Sequence, residues 1–554
     1  MKRLLLFSIA AGFAVVSAFA GGLVTNTNQS TSWVRNPARD ASRGIEAVYY
    51  NPAGIMALNN GFHFSLSNQY ITQKKEVENF YPYLNQSLYK GSVKAPLFPS
   101  FYAAYKMDKV AFSFGFNPIG GGGGATFDKG LPSFEMSPSD LVPGLTQFGV
   151  TDYQLKAYFE GTSVFFGYQG GVTFKLNDIV SIYGGIRYVT AKNTYSGYLR
   201  DVQVLQGTNW MRADALFGSL SSQAAAGAAS AAGAAASLNP LVAGGGGTLT
   251  LAQAVGLNFI TPTQQAQLEG GLTALGVDPT GLTVAQVQGA FSTAATSLTG
   301  QAQVAGAKAH LLRDQEADAE QTGSGFCPII GINLTLSEKL NVGFKYEFIT
   351  EMELQNKTAK DFTTYWAGPA ADSVTMFPDG EKVKSDMPSM ISVGLDYKLS
   401  DKFNLSLGTH IYNDKTANYG KKVDYDMNPA TPSLALSNED VIDRNFYELA
   451  AGLEYQFNEK LLLSGGFLMA RTGVNELYQN DLSYSNNSNT FGAGCEYTIN
   501  DMMKLNLGVG YTAYQDAEKL VGHVAPDGTQ ILSKETYYKN TMIISAGINI
   551  SLSK

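Results

Sequence analysis

Cations set among apolar residues are the chemistry this sequence offers most readily. Arg187, Lys345 and Lys504 occupy alternate positions of segments whose intervening positions are apolar, and Arg35, Arg39 and Arg43 recur every fourth residue near the N-terminus. A cation in such surroundings pairs with a carboxylate or a similar anion, because a buried charge is tolerated only when neutralised and hydrogen-bonded. Glu347, Glu448, Glu454 and Glu496 sit at equivalent alternating positions. The basic residues are therefore candidates either for a ligand carboxylate, with Arg187 and Lys345 foremost, or for internal ion pairs. Catalysis finds little support. Of the 4 histidines only His410 falls on this inward alternation, and no Gly-x-Ser-x-Gly elbow accompanies it. No metal-ligand spacing occurs, and no cofactor is expected. The 2 cysteines, Cys327 and Cys495, fall on separate expected strands and read as outward-pointing, isolated apolar thiols.

The elements that position these residues are short-turned hairpins. Six polar turns, Lys106-Met107-Asp108-Lys109, Leu176-Asn177-Asp178-Ile179, Leu336-Ser337-Glu338-Lys339, Leu399-Ser400-Asp401-Lys402, Phe457-Asn458-Glu459-Lys460 and Ile499-Asn500-Asp501-Met502, each lie between runs of period two. After the third turn, for example, Leu340, Val342, Phe344, Tyr346 and Phe348 alternate with Asn341, Gly343, Lys345 and Glu347. Alternation alone does not separate a soluble sandwich from a membrane barrel. Loop asymmetry does: the turns are tight on one side, whereas the other connections run to tens of residues. Twelve turn-linked strands, with one more at each end near 61–72 and 541–552, make fourteen. The expected fold is all-β, a fourteen-stranded antiparallel transmembrane barrel.

Composition agrees. Charged residues are only 16% of the 554, against roughly 25% in an average soluble protein, yet mean hydropathy is -0.07. No later run of about 18 apolar residues offers a membrane helix, which leaves alternating strands as the way to span. Lys2 and Arg3, the apolar stretch Leu4 to Val16 and Ala18-Phe19-Ala20 have the build of a secretory signal peptide over 1–20. Without Lys2 and Arg3 the 47 acidic residues exceed the basic ones by about ten, which argues against a nucleic-acid partner.

A fourteen-stranded lumen is too wide for wall side chains to fill. Residues 21–58, which lack strand alternation and carry the three arginines at a spacing suited to one helix face, are the expected plug or hatch, with the barrel over 59–554. Inward Gly115, Gly185, Gly343, Gly408 and Gly508 would make room for it. The longest connection, about 201–321, is rich in Ala and Gly and is expected to form short, glycine-interrupted helices in an extracellular cap. The third strand is expected to end at Phe116-Asn117-Pro118-Ile119, before Gly120 to Gly124. Asn117, Pro118, Gly120 and Gly121 mark a candidate kink or lateral gap, since proline removes a ladder hydrogen bond and glycine permits unusual dihedrals.

The segment Ser42-Arg43-Gly44-Ile45-Glu46-Ala47-Val48-Tyr49-Tyr50-Asn51-Pro52-Ala53-Gly54 resembles the hatch of the FadL/TodX family of outer-membrane transporters for hydrocarbons and long-chain fatty acids, with Asn51, Pro52, Ala53 and Gly54 its most recognisable part. Ser385-Asp386-Met387-Pro388-Ser389-Met390-Ile391-Ser392-Val393-Gly394 is similar to that family's proline-started strand. The resemblance implies a monomeric barrel closed by an N-terminal hatch. It would lie in the bacterial outer membrane among lipid and lipopolysaccharide, and release hydrophobic small molecules sideways through a kinked third strand. The chain departs from such barrels in ending Ile550-Ser551-Leu552-Ser553-Lys554, without a terminal aromatic residue, and in the length of its Ala/Gly-rich insertion. A nonspecific porin shares every strand-level feature. A structural or adhesin barrel and an outer-membrane lipid hydrolase are the further alternatives.

Overall fold

In the computed structural model the described residues are 23–553 apart from 367–373, 421, 424–433, 436 and 527. The expected signal peptide at 1–20 lies outside them. Fourteen strands close into one antiparallel barrel: β1 (Gly61–Asn79), β2 (Leu88–Lys106), β3 (Val110–Phe127), β4 (Val150–Lys175), β5 (Val180–Gln206), β6 (Gln315–Thr335), β7 (Leu340–Glu347), β8 (Met390–Lys398), β9 (Phe403–Tyr412), β10 (Phe446–Gln456), β11 (Leu461–Arg471), β12 (Ser488–Asn500), β13 (Met503–Tyr514) and β14 (Gln530–Ser553). Gly61 pairs with Ser553 at the seam, so both ends of the barrel lie on the rim that carries the six tight turns.

The period-two pattern becomes a wall with inverted polarity. Outside, Phe62, Leu66, Phe112, Phe114, Ile186, Phe326, Ile330, Leu407, Phe491, Val509 and Ile544 are exposed. Inside, Gln69, Asn117, Gln169, Arg187, Asn333, Lys345, His410, Glu448 and Asn506 are buried. A soluble sandwich buries its apolar face; this wall presents it as a continuous belt, which only a hydrocarbon solvent makes favourable. Spanning takes about 9 to 11 residues, but β4 has 26 and β5 has 27. Their outer halves therefore stand above the membrane as a collar. Among the described residues no helix is long and apolar enough to cross a membrane.

Three expectations change. The insertion is not a set of short helices: α5 (Ala213–Ala243) and α8 (Val284–Leu311) form a long antiparallel hairpin, with α6 (Leu251–Gly256) and α7 (Pro262–Ala274) packed at its far end around Leu238, Leu272 and Phe291. Small side chains let the two long helices approach closely; a Cβ on Gly227 would lie 3.3 Å from Leu298. Thr250, Thr261 and Thr283 each form a capping box with the glutamine three residues on. Next, Cys327 points inward and is 2% exposed, because it shares the parity of Ile329 and Asn333; both thiols are free. Finally, β3 does not end at Phe116 but continues to Phe127, with register shifts against β4 at Pro118/Gly120 and Gly120/Gly123.

Candidate functional site

The N-terminal segment fills the lumen. Helix α1 (Thr31–Arg35) packs on β12, β13 and β14, and α2 (Ala47–Tyr50) on β2 and β3, with both helices buried. The arginines are not on one helix face, because α1 ends at Arg35 and Asn36 and Pro37 turn the chain. Arg35 and Arg39 nevertheless converge on one acid: Nη1 of Arg35 lies 2.9 Å and Nη2 of Arg39 2.6 Å from Glu454 Oε1. Arg35 also reaches Glu496 at 3.4 Å and donates to Asn506. Arg43 is half-buried.

A second anchor runs through Asp40, which sequence reasoning missed. His410 Nε2 is 2.7 Å from Asp40 Oδ1 and its Nδ1 is 2.7 Å from Glu448 Oε2, while Ser392 donates to Asp40. His410 thus bridges a carboxyl group of the hatch and one of β10. Inward glycines allow the approach: a Cβ on Gly343, Gly394 or Gly408 would collide with Asp40. At the short-turn end, Asn51 donates to Ser42 O and Asn333 Oδ1, Thr173 donates to Pro52 O and Ser181 to Ala53 O. A Cβ on Gly54 would strike Asn51 and the Ser42 carbonyl. The Asn51-Pro52-Ala53-Gly54 element thus ties hatch backbone to β4, β5 and β6.

Arg187 and Lys345, expected as partners for a ligand carboxylate, come together around Glu347. Arg187 grips it with two hydrogen bonds, 2.6 and 2.9 Å, and Lys345 Nζ lies 2.8 Å from Glu347 Oε1. Both cations face the ring of hatch residue Tyr49, at 5.0 and 4.8 Å, and Lys345 donates to its carbonyl. Arg187 and Glu347 border a small hollow lined also by Thr25, Ile119, Met387 and Tyr412. Lys504 is not with them; it is half-exposed, paired with Glu496 at 2.8 Å, two residues past the tight turn.

Beside that hollow the wall is breached. β2 and β3 pair over Phe101–Lys106 with Ala111–Phe116 and over Gly91–Val93 with Ala125–Phe127, but not between. The unpaired stretch contains Asn117, Pro118, Gly120 and Gly121 on β3 and Pro96 and Pro99 on β2. Hatch backbone closes it from inside: Asn26 N donates to Ile119 O and Gly121 N to Val24 O, with Thr25 bridging Gly120. Gly121 has φ +87 and a Cβ there would strike Ser163, so this path needs glycine.

At the outer end, helix α3 (Pro132–Ser139) folds over the mouth. Glu135 anchors it, accepting hydrogen bonds from the hydroxyls of Tyr89 and Tyr153, whose own ionisation burial and that carboxylate push far upward. Beneath it lies an apolar hollow, partly open, walled by Phe134, Leu199, Leu312, Phe362, Met376 and Leu482. These residues come from five separate segments, and no spacing in the sequence joins them.

A family model described as an outer membrane protein β-barrel domain matches residues 349–548. The crystal structure of a Pseudomonas aeruginosa FadL homologue aligns over 96% of this chain and 99% of its own, with TM-score 0.53 and 11% identity. The TodX deltaS2S3 mutant, a monoaromatic hydrocarbon channel, aligns over 94% and 98%, with TM-score 0.50 and 12% identity. No curated protein matches in sequence. The chain is a fourteen-stranded β-barrel with the fold of these channels, and the resemblance read from Asn51 to Gly54 holds at the level of fold.

Proposed function

We propose that this barrel, which shares the fold of the FadL homologue and the TodX hydrocarbon channel, carries hydrophobic small molecules passively across the outer membrane. The ligand enters the apolar hollow under α3, passes to the inner hollow beside Tyr49, Arg187 and Glu347, and leaves sideways where β2 and β3 do not pair. The observation that carries this reading is that interruption of the ladder. Unpaired backbone facing lipid is costly, and here the hatch at Val24 to Asn26 supplies the missing partners. Movement of the hatch N-terminus therefore opens and seals the gap.

On this reading Arg187 and Lys345 are gate residues: paired with Glu347 they hold Tyr49, and a ligand carboxylate or other polar end competes with Glu347 for them. No covalent step is involved, and no enzymatic role is assigned; His410 has both nitrogens committed to carboxylates.

Placing a charge in the outer hollow tests the route. Phe134→Asp combined with Met376→Lys should lower liposome uptake of both labelled hexadecanoate and toluene at sub-saturating concentration by roughly tenfold, the effect of about 1.4 kcal/mol lost from capture. The barrel itself, read by its heat-modifiable mobility, should be intact. Unchanged uptake of both compounds would exclude this hollow as the entry.

A further inference from the structure

The outward side chains of β1 include exposed Phe62, Leu66 and Tyr70, and that stretch has the length of one crossing, about 9 to 11 residues. The first charged residues above it are Lys74 on β1 and Lys94 on β2, followed by Lys90, and all three are exposed. The ladder sets Lys74 opposite Ser92 and Thr72 opposite Lys94, so Lys74 stands diagonally between Lys94 below and Lys90 above. On β14 its partner is Asn540. Diagonal neighbours are roughly 7 to 8 Å apart, within reach of long side chains. Among the described residues none of the three ammonium groups has a hydrogen bond or an ion pair. The nearest acids lie farther from the belt: Glu76 opposite Lys90, and Glu78, which accepts a hydrogen bond from the Tyr538 hydroxyl at 2.7 Å.

Elsewhere the collar pairs its cations. Lys156 meets Asp201 at 2.8 Å and Lys192 meets Glu320 at 2.6 Å, while Arg200 and Lys360 share Glu316. No acid pairs with Lys74 or Lys94, and like charges on neighbouring rungs repel. Facing water, that repulsion is screened; at the edge of a hydrocarbon belt the neighbours are lipid head groups, and an anionic one removes it. The two ammonium groups, the Ser92 hydroxyl and the Asn540 amide can all donate hydrogen bonds, which is the complement of a phosphate whose ionised oxygens accept them. Directly beneath, Tyr70, Leu97 and Met542 expose apolar side chains.

We infer that Lys74, Lys94 and Lys90, with Ser92 and Asn540, dock the phosphate of an anionic lipid of the outer leaflet, its acyl chains lying over Tyr70, Leu97 and Met542. This lipid is a neighbour of the wall and not cargo, because the site faces outward, away from both hollows. Lys94 and Leu97 belong to the stretch of β2 that β3 leaves unpaired, so the docked lipid borders the breach. The inference rests on the outer-membrane placement proposed above and is independent of transport.

Binding of lipid A carrying both phosphates, and of the same lipid with its phosphates removed, to the purified full-length protein in detergent tests the site. The parent protein should prefer the phosphorylated form, and Lys74→Gln with Lys94→Gln should cut that preference by roughly tenfold or more. Lys156→Gln with Lys192→Gln, which removes as much charge from another part of the collar, should leave it unchanged. Phosphorylated lipid A should also protect Lys74 and Lys94 from acetylation, read by mass spectrometry, where inorganic phosphate at the same concentration does not. The inference is overturned if the Lys74/Lys94 variant keeps the preference, if the Lys156/Lys192 variant loses it equally, or if inorganic phosphate protects as well as the lipid. Insertion of the parent protein into liposomes, with no preference for phosphorylated lipid, would sink the site and leave the membrane placement standing; failure to insert would sink both.

Discussion

Replacing Glu454 with alanine should unseat the hatch while leaving the barrel closed. Arg35 and Arg39 share that carboxylate at 2.9 and 2.6 Å, and both are almost fully buried. Without it Arg39 keeps the Ser32 carbonyl and, at 3.9 Å, Glu46, and Arg35 keeps Ser464, Asn506 and, at 3.4 Å, Glu496. Removing one member of a buried pair costs about 3 to 5 kcal/mol, because the stranded charge stays desolvated. The barrel's continuous seam does not pass through these residues, so the cost falls on docking of the hatch. The expected result is a large rise in ion conductance in planar bilayers and faster proteolysis within 23–58. Glu454→Gln, which keeps an acceptor but no charge, should give a smaller rise. Conductance at the parent level in the alanine variant would mean that the hatch is held elsewhere.

The second large effect is a reversible block. A Cβ on Gly115 of β3 would lie 3.3 Å from Cγ1 of Val48 on hatch helix α2, near the separation of about 3 Å between a Cβ and the far sulfur of a disulfide. Val48→Cys with Gly115→Cys, in a background of Cys327→Ser and Cys495→Ser, should therefore form a bond fixing the hatch beside the breach. Oxidised protein should bind ligand at its outer end yet transport at least roughly tenfold more slowly, since the open state is removed from the population. Reduction should restore the rate. Full transport through the oxidised protein would show that this part of the hatch need not move.

Much of the fold was legible because period two and tight polar turns are local. Six turns and the residues after them located the barrel strands without reference to distant sequence. Parity also put Arg187, Lys345, Glu347, Glu448 and Glu454 inside, and it misplaced Cys327 only because its strand was phased wrongly. The arginine spacing suggested a helix that Pro37 ends, yet Arg35 and Arg39 still meet at Glu454, a convergence made by the turn and by a residue more than 400 positions away. Asp40 was unreadable for the same reason: its partners Ser392 and His410 become neighbours only when the hatch is seated. β3 looked finished at Phe116 because glycines and Pro118 normally stop a strand, but β4 and the hatch supply the hydrogen bonds that β2 does not. The three Thr-x-x-Gln capping boxes were the available signal for the helical hairpin, obscured by alanine and glycine content.

The central claim, a hatch-sealed route for apolar molecules rather than an aqueous pore, is tested most directly by measuring two properties of the same preparation. One is uptake of labelled hexadecanoate or toluene into liposomes; the other is ion conductance in planar bilayers, each with the full-length mature chain and with residues 21–58 removed. The account predicts saturable uptake with little conductance from the full chain, and high conductance once the hatch is gone. Large conductance from the full chain, with neither compound taken up above protein-free liposomes, would contradict it and leave a porin.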